Sequence, residues 1–274
     1  MSIGLGVIGN NYIVIAADRR SRRTKGKSIE HLEPQLENTS KISMTNFGWA
    51  GNYGGNLLTF SLFKYFLGVA NTTDMAAIKQ CWLDSIFTVH ELGKKHFDKE
   101  VCEEAYKASA STHSLLSMNR FRNGEYQPEL HVIDIMDGGR VRTFTEPGTL
   151  YVSNPEHSRQ IRRAVKKHAK HRKSYHIGWH VTESIFDVKD ADIHKSIYLV
   201  ACVVGDICKL TPKINDVLDY GISYQIIPGE VVLMSLHGTA KGIKDIYETK
   251  GNYSESMLVC GVLSEKPERM VTHG

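Results

Sequence analysis

The chain has 274 residues, 41% hydrophobic and 23% charged, with a net charge of +4. These values fit a globular protein with a sizeable core, as one large domain or one domain plus a small appendage, and so mild a charge points to no particular partner. The longest apolar run, 197–204, is too short to span a bilayer, and the first residues lack the charged and apolar regions of a secretory signal, so no membrane partner is expected. Five cysteines (Cys81, Cys102, Cys202, Cys208, Cys260) without a C-x-x-C pair imply free thiols and a cytoplasmic location.

The first segment, GLGVIGNNYIVIAADRR (residues 4–20), opens with G-x-G-x-x-G. A dinucleotide-binding turn needs a buried strand before the first glycine and a helix after the last. Only three residues precede Gly4, and a β-branched run follows, so no cofactor is expected and a hairpin is predicted instead. Strands over 3–8 and 12–17 are joined by Gly9-Asn10-Asn11. Centring a three-residue loop on Asn10 pairs position 8 with 12 and brings Ser2 opposite Asp18.

Residues 21–40 form a long polar excursion without clear periodicity, a predicted loop. Strands over 41–45 and 46–51 follow, then a glycine-rich loop to residue 56 and a buried helix over 57–67. A second helix spans 74–93, with Thr72 or Thr73 as its N-cap. Strands are predicted at 105–118, 129–136 and 140–145, separated by Asn-Gly and Asp-Gly-Gly turns.

The segment 157–171 is rich in Arg, Lys and His, with Ile161, Ala164, Val165, His168 and Ala169 at helical spacing. It is predicted to be an amphipathic helix with a solvated basic face, and nucleic acid is not expected as a partner. His168 with His171, and His176 with His180, have spacings that a metal could use, yet the surrounding cations repel one and no metal site is expected. A helix over 191–210 ends before Pro212, and strands over 222–227, 230–236 and 257–263 complete the chain. Runs of strands and runs of helices predict an α+β fold.

One set of positions carries a further implication: a small hydroxyl residue after Met1, a hairpin ending in A-A-D-R-R, the Ser40-Lys41-Ile42 strand start, and Ala50-Gly51 opening a loop before a helix. In this the chain resembles the proteasome β-subunit type of N-terminal nucleophile hydrolases. The segment Pro128-Glu129-Leu130-His131-Val132-Ile133-Asp134, followed by Gly138, is similar to a strand and turn of the same family. The resemblance implies a four-layer αββα sandwich over residues 2–236, with a small C-terminal extension over 237–274.

It also implies a site. Ser2 is the nucleophile, with its own α-amine as base once Met1 is removed. Lys41 favours the neutral amine and stabilises a developing alkoxide, Asp18 holds Lys41, and the Gly51 N–H faces the oxyanion. Supporting roles fall to Arg20, Asp216 and Asp219, the last two from Asp216-Val-Leu-Asp219-Tyr220-Gly221. On this basis Lys41→Ala is expected to abolish acylation and leave the fold intact.

The implied function is a peptidase or amidohydrolase acting through an acyl-enzyme on a peptide or protein substrate, with self-association left open. Serine in place of the family's usual threonine and the long 21–40 segment depart from the pattern. Two other readings stand beside it: a sequence-specific protein ligase of the connectase type, which shares the acyl-enzyme, and a non-catalytic proteasome-like scaffold.

Overall fold

A computed structural model describes residues 3–19, 22–25, 28–31, 40–53, 57–96, 99, 103, 113–122, 124–134, 139–153, 158–168, 174–175, 183–188, 192–210, 214–251 and 253–265. Its centre is a hairpin of β1 (Gly4–Ile8) and β2 (Tyr12–Asp18), in which every residue of both strands is buried. That is why the strands are apolar up to Asp18 and show no alternation: both of their faces are covered.

Around the hairpin runs an eight-stranded antiparallel sheet. On the β2 side stand β13 (Val217–Ile227), β14 (Glu230–Thr239) and β15 (Met257–Ser264); on the β1 side stand β10 (Thr149–Ser153), β12 (Glu183–Asp187) and β11 (Ser174–Tyr175). A second antiparallel sheet is ordered β5 (Ile42–Thr45), β6 (Gly48–Tyr53), β7 (His113–Arg122), β8 (Glu125–Asp134) and β9 (Arg140–Phe144). Five α-helices lie among the described residues: α1 (Leu57–Ala70), α2 (Met75–His96), α3 (Ser158–His168), α4 (Ile193–Cys208) and α5 (Ala240–Glu248). The fold is α+β, as predicted. No helix among the described residues is long and apolar enough to cross a membrane.

Three apolar cores hold these elements. Ile13, Ile15 and Ala17 of the large sheet meet Trp49, Leu115 and Leu130 of the small one. Ile161 and Val165 of α3, Val200 and Val204 of α4 and Ile243 of α5 pack with Leu5, Val14 and Tyr220 of the large sheet. Phe60 and Phe63 of α1 and Trp82 of α2 pack with Leu116, Met118 and Ile133 of the small sheet, with Trp82 edge-on to Phe63 at 4.7 Å. Burial of these side chains, at about 1.5–3 kcal/mol each, is the dominant favourable contribution to folding.

The opening glycines serve the core between the sheets. A Cβ on Gly4 would lie 2.3 Å from the Tyr53 ring, and one on Gly6 would lie 2.6 Å from Leu130. Glycine here lets side chains of the second sheet approach the backbone of the first, a packing requirement and not a phosphate cradle.

The hairpin register differs from the expected one. Ile8 pairs with Ile13, and the Gly9 N–H donates to the Tyr12 carbonyl at 2.9 Å. The loop is therefore Asn10-Asn11, two residues and not three, and the register moves by one position. Ile3, not Ser2, falls opposite Asp18.

Other expectations also change. The segment 21–40 is not a bare loop, since β3 (Arg22–Lys25) and β4 (Ser28–His31) pair within it as a two-stranded ribbon. The cap of α2 is Asp74, whose carboxylate accepts the Ala77 N–H at 2.9 Å, while the Thr72 hydroxyl accepts the Asp74 N–H. β10, β12 and α5 were not predicted. The boundary after Leu236 falls inside β14, and β15 pairs along that strand in the same sheet. His171, His176, His180 and Cys102 lie outside the described residues.

Candidate functional site

β2 ends at Asp18, a fully buried carboxylate. Its Oδ1 accepts the Ile3 N–H at 2.9 Å and lies 3.3 Å from Lys41 Nζ. Lys41 directly precedes β5, with its side chain 5% exposed. The pair therefore joins the end of the large sheet to the end of the small one. A carboxylate removed from water needs both kinds of partner, an ammonium and a backbone donor, to offset its desolvation.

The backbone around Lys41 is fixed in turn. Its carbonyl accepts the Asn52 N–H at 2.8 Å. Gly51 stands opposite Ile42 on β5 and opposite Leu115 on β7. The Asn119 N–H donates to the Phe47 carbonyl at 3.0 Å, and hydrogen-bonded positions along an antiparallel ladder recur every second residue. The Gly51 N–H is accordingly directed to β7, opposite Leu115, and the Ser114 hydroxyl donates to the Gly51 carbonyl at 3.3 Å. A Cβ at Gly51 would meet nothing closer than Ile15 at 3.4 Å, so packing alone does not demand glycine there.

Asp219, in β13, is buried and stands opposite Ala17 of β2 and His237 of β14. Its carboxylate lies 3.4 Å from Arg19 Nε and 3.4 Å from His237 Nδ1. Neither Arg19 Nε nor Asp219 Oδ2 meets hydrogen-bond geometry, so the first contact is electrostatic and not a directed bond. Arg19 Nη1 also lies 3.1 Å from the His237 ring, and the Arg19 N–H donates to Asn215 Oδ1 at 3.2 Å. Asp216 is exposed; its carbonyl accepts the Ala240 N–H at 2.6 Å, which ties it to the start of α5. Ser2 and Arg20 lie outside the described residues.

The structure thus brings Asp18 and Lys41 into contact, with Ile3 as the third member. Asp219 is engaged by the neighbouring Arg19. Two further polar groups were missed from sequence. Ser153 ends β10 opposite Gly4 and is buried, with its hydroxyl unpartnered among the described residues. Asn52, next to Gly51, is also buried, and its Oδ1 is likewise unpartnered. No local signal marks Ser153: only the pairing of β10 with β1 brings it beside the start of the chain.

No protein-family model matches the chain, and no curated protein matches it. Solved structures do. The Gly-1 mutant of Anbu from Hyphomicrobium sp. strain MC1 superposes with a TM-score of 0.51 at 11% identity, covering 91% of this chain and 94% of that one. Anbu from Yersinia bercovieri, described as an ancestral beta-subunit, gives 0.52 at 10% identity over 91% and 94%. A second Anbu structure from Hyphomicrobium sp. strain MC1 gives 0.50 at 12% identity over 90% and 94%. These matches correct the family placement expected from the motifs, the proteasome β-subunit group with its connectase branch: the relationship they support is a distant one, to Anbu. At 10–12% identity the likeness shows the fold alone, and that fold is proteasome-like.

Proposed function

We propose that the protein is an N-terminal serine amide-bond enzyme, a peptidase or amidohydrolase that forms an acyl-enzyme on Ser2 with a peptide or protein substrate. One observation carries this reading: a single oxygen, Asp18 Oδ1, meets both the N–H of the residue after Ser2 and the Lys41 ammonium. It ties the start of the chain to the one buried cation near it among the described residues.

In this scheme Ser2 is the first residue of the mature chain, whatever precedes it being removed. Its α-amine, with an ordinary pKa of about 7.7–8.0, takes the hydroxyl proton as the oxygen attacks the substrate carbonyl. The Lys41 ammonium lowers the proton affinity of the amine and stabilises the alkoxide. Asp18 fixes Lys41. The Gly51 N–H reaches an oxyanion only if its pairing toward β7 opens, so charge stabilisation in this scheme rests on Lys41. Ser153 and Asn52 supply buried polar atoms to orient the amine and the substrate. We read the three cores as the spaces between four layers, αββα, and the separate membership of the cores supports that reading.

The test is cleavage of a mixed peptide library by the mature protein and by its Ser2→Ala variant, followed by mass spectrometry. The variant is expected to lose cleavage at least 100-fold. Equal cleavage by the two proteins overturns the assignment.

A further inference from the structure

A second group of chemically active side chains lies on β8 and β9. Glu129 and His131 are two residues apart on β8 and share one face of the strand, and Thr143 on β9 is the cross-strand partner of His131. His131 Nε2 lies 3.0 Å from Glu129 Oε2, and His131 Nδ1 lies 2.9 Å from Thr143 Oγ1. His131 and Glu129 are buried, whereas Thr143 is exposed.

The direction of the bond between Glu129 and His131 follows from charge, and that of the bond to Thr143 from the neutral form of the imidazole. The bond from His131 outweighs burial and, with Arg120 and Arg122 nearby, holds the Glu129 carboxyl below its ordinary range. Glu129 is therefore ionised at neutral pH and can only accept, so His131 Nε2 carries the hydrogen. In the neutral imidazole Nδ1 is then an acceptor, and the Thr143 hydroxyl donates to it. This is a hydroxyl, a base within hydrogen-bond reach of it, and a carboxylate that orients the base. Arg122 Nη2 lies 3.3 Å from the other carboxylate oxygen, Glu129 Oε1, and Arg120 Nε lies 3.6 Å from Oε2, the oxygen that His131 also meets.

A cavity of about 540 Å³ opens beside these groups, lined by Thr143, Glu129, Tyr126, Pro128 and Pro147 among others, and by Asn10 at the tip of the β1–β2 hairpin. That tip is at the opposite end of β1 from Ile3. The cavity is large enough for a small organic molecule, and its wall mixes Tyr126, Pro128 and Pro147 with polar groups that include Arg122, Gln127 and Thr145.

We infer that Thr143, His131 and Glu129 form a second nucleophilic site that takes the acyl group of small carboxylic esters. The Thr143 oxygen bonds to the ester carbonyl carbon as its proton passes to His131 Nδ1. The carbon–oxygen bond to the alcohol then breaks, and the alcohol leaves with that proton. A water, deprotonated by His131, attacks the threonyl ester, releasing the acid and returning the proton to Thr143.

The experiment is done in the Ser2→Ala background, so that its outcome does not depend on the Ser2 reading. The protein is treated with a fluorophosphonate, and the adduct is located by peptide mapping; hydrolysis of 4-nitrophenyl acetate is followed in parallel. An adduct on Thr143 is expected. Its rate should fall at least tenfold in His131→Gln and vanish in Thr143→Val, while Thr143→Ser, which keeps the hydroxyl, should retain both labelling and hydrolysis. Retention in Thr143→Ser shows that loss in Thr143→Val is not a folding defect. Absence of any adduct on Thr143, or labelling at the same rate in His131→Gln, overturns the inference.

Discussion

Asp18 and Lys41 form a buried ion pair, Oδ1 to Nζ at 3.3 Å, between the last residue of β2 in the large sheet and the residue that precedes β5 in the small one. Because both side chains are almost wholly withdrawn from water, the pair is part of the fold as well as of the proposed chemistry. Lys41→Met should destabilise the protein by about 3–5 kcal/mol, since it leaves a buried carboxylate without its cation. This replaces the expectation that removing Lys41 spares the fold. Asp18→Asn combined with Lys41→Met should recover part of the loss. Urea unfolding of the two single variants and the double variant measures it; simple additivity would show that the two groups are not coupled.

The opening glycines give a second prediction. Gly6→Ala must displace Leu130, at 2.6 Å from the new carbon, and should cost about 1–3 kcal/mol. Gly51→Ala meets only ordinary contacts at 3.4 Å and beyond and should stay within about 1 kcal/mol of the parent. Thermal or urea denaturation distinguishes the two; equal losses would contradict the packing account.

A third concerns acid. Burial raises the proton affinity of Asp206, but the bonds from His168 and Lys167, at 3.0 and 3.2 Å, outweigh it and hold the carboxyl below its usual range. A carboxylate with a depressed native pKa stabilises the fold above its unfolded value of about 3.9, and that stabilisation disappears as pH falls through the lower native value. The stability gap between the parent and Asp206→Asn should therefore be widest at neutral pH and shrink between about pH 5 and pH 2. Urea midpoints across that range test it. A gap that widens in acid would mean that the α3–α4 contact works by another means.

Much of this was legible in the sequence because the signals are local. The hydrophobic periodicity of α2 and α4, the Pro228-Gly229 turn between β13 and β14, and the basic face of α3 each follow from neighbouring residues. The hairpin was legible too, but its register was not: Gly9-Asn10-Asn11 is compatible with loops of two or three residues, and Gly9 closes the ladder with Tyr12. β10 is five residues long, fully buried and without alternation, so nothing in it separates a strand from a short apolar stretch. Ser153 went unseen for the same reason. Asp18 and Lys41 could be named from sequence, whereas their shared contact with the Ile3 N–H is a product of tertiary packing.

The account rests above all on Ser2 as an N-terminal nucleophile, and the most direct measurement is mass spectrometry of the N-terminal peptide after brief reaction with an activated peptide ester. The account predicts a peptide that begins at Ser2, carries one acyl group on the serine oxygen and retains a free α-amine, and that loses the acyl group in Lys41→Met. An N-terminal peptide that keeps residue 1 in active protein, or full activity with no acyl group on Ser2, would contradict it.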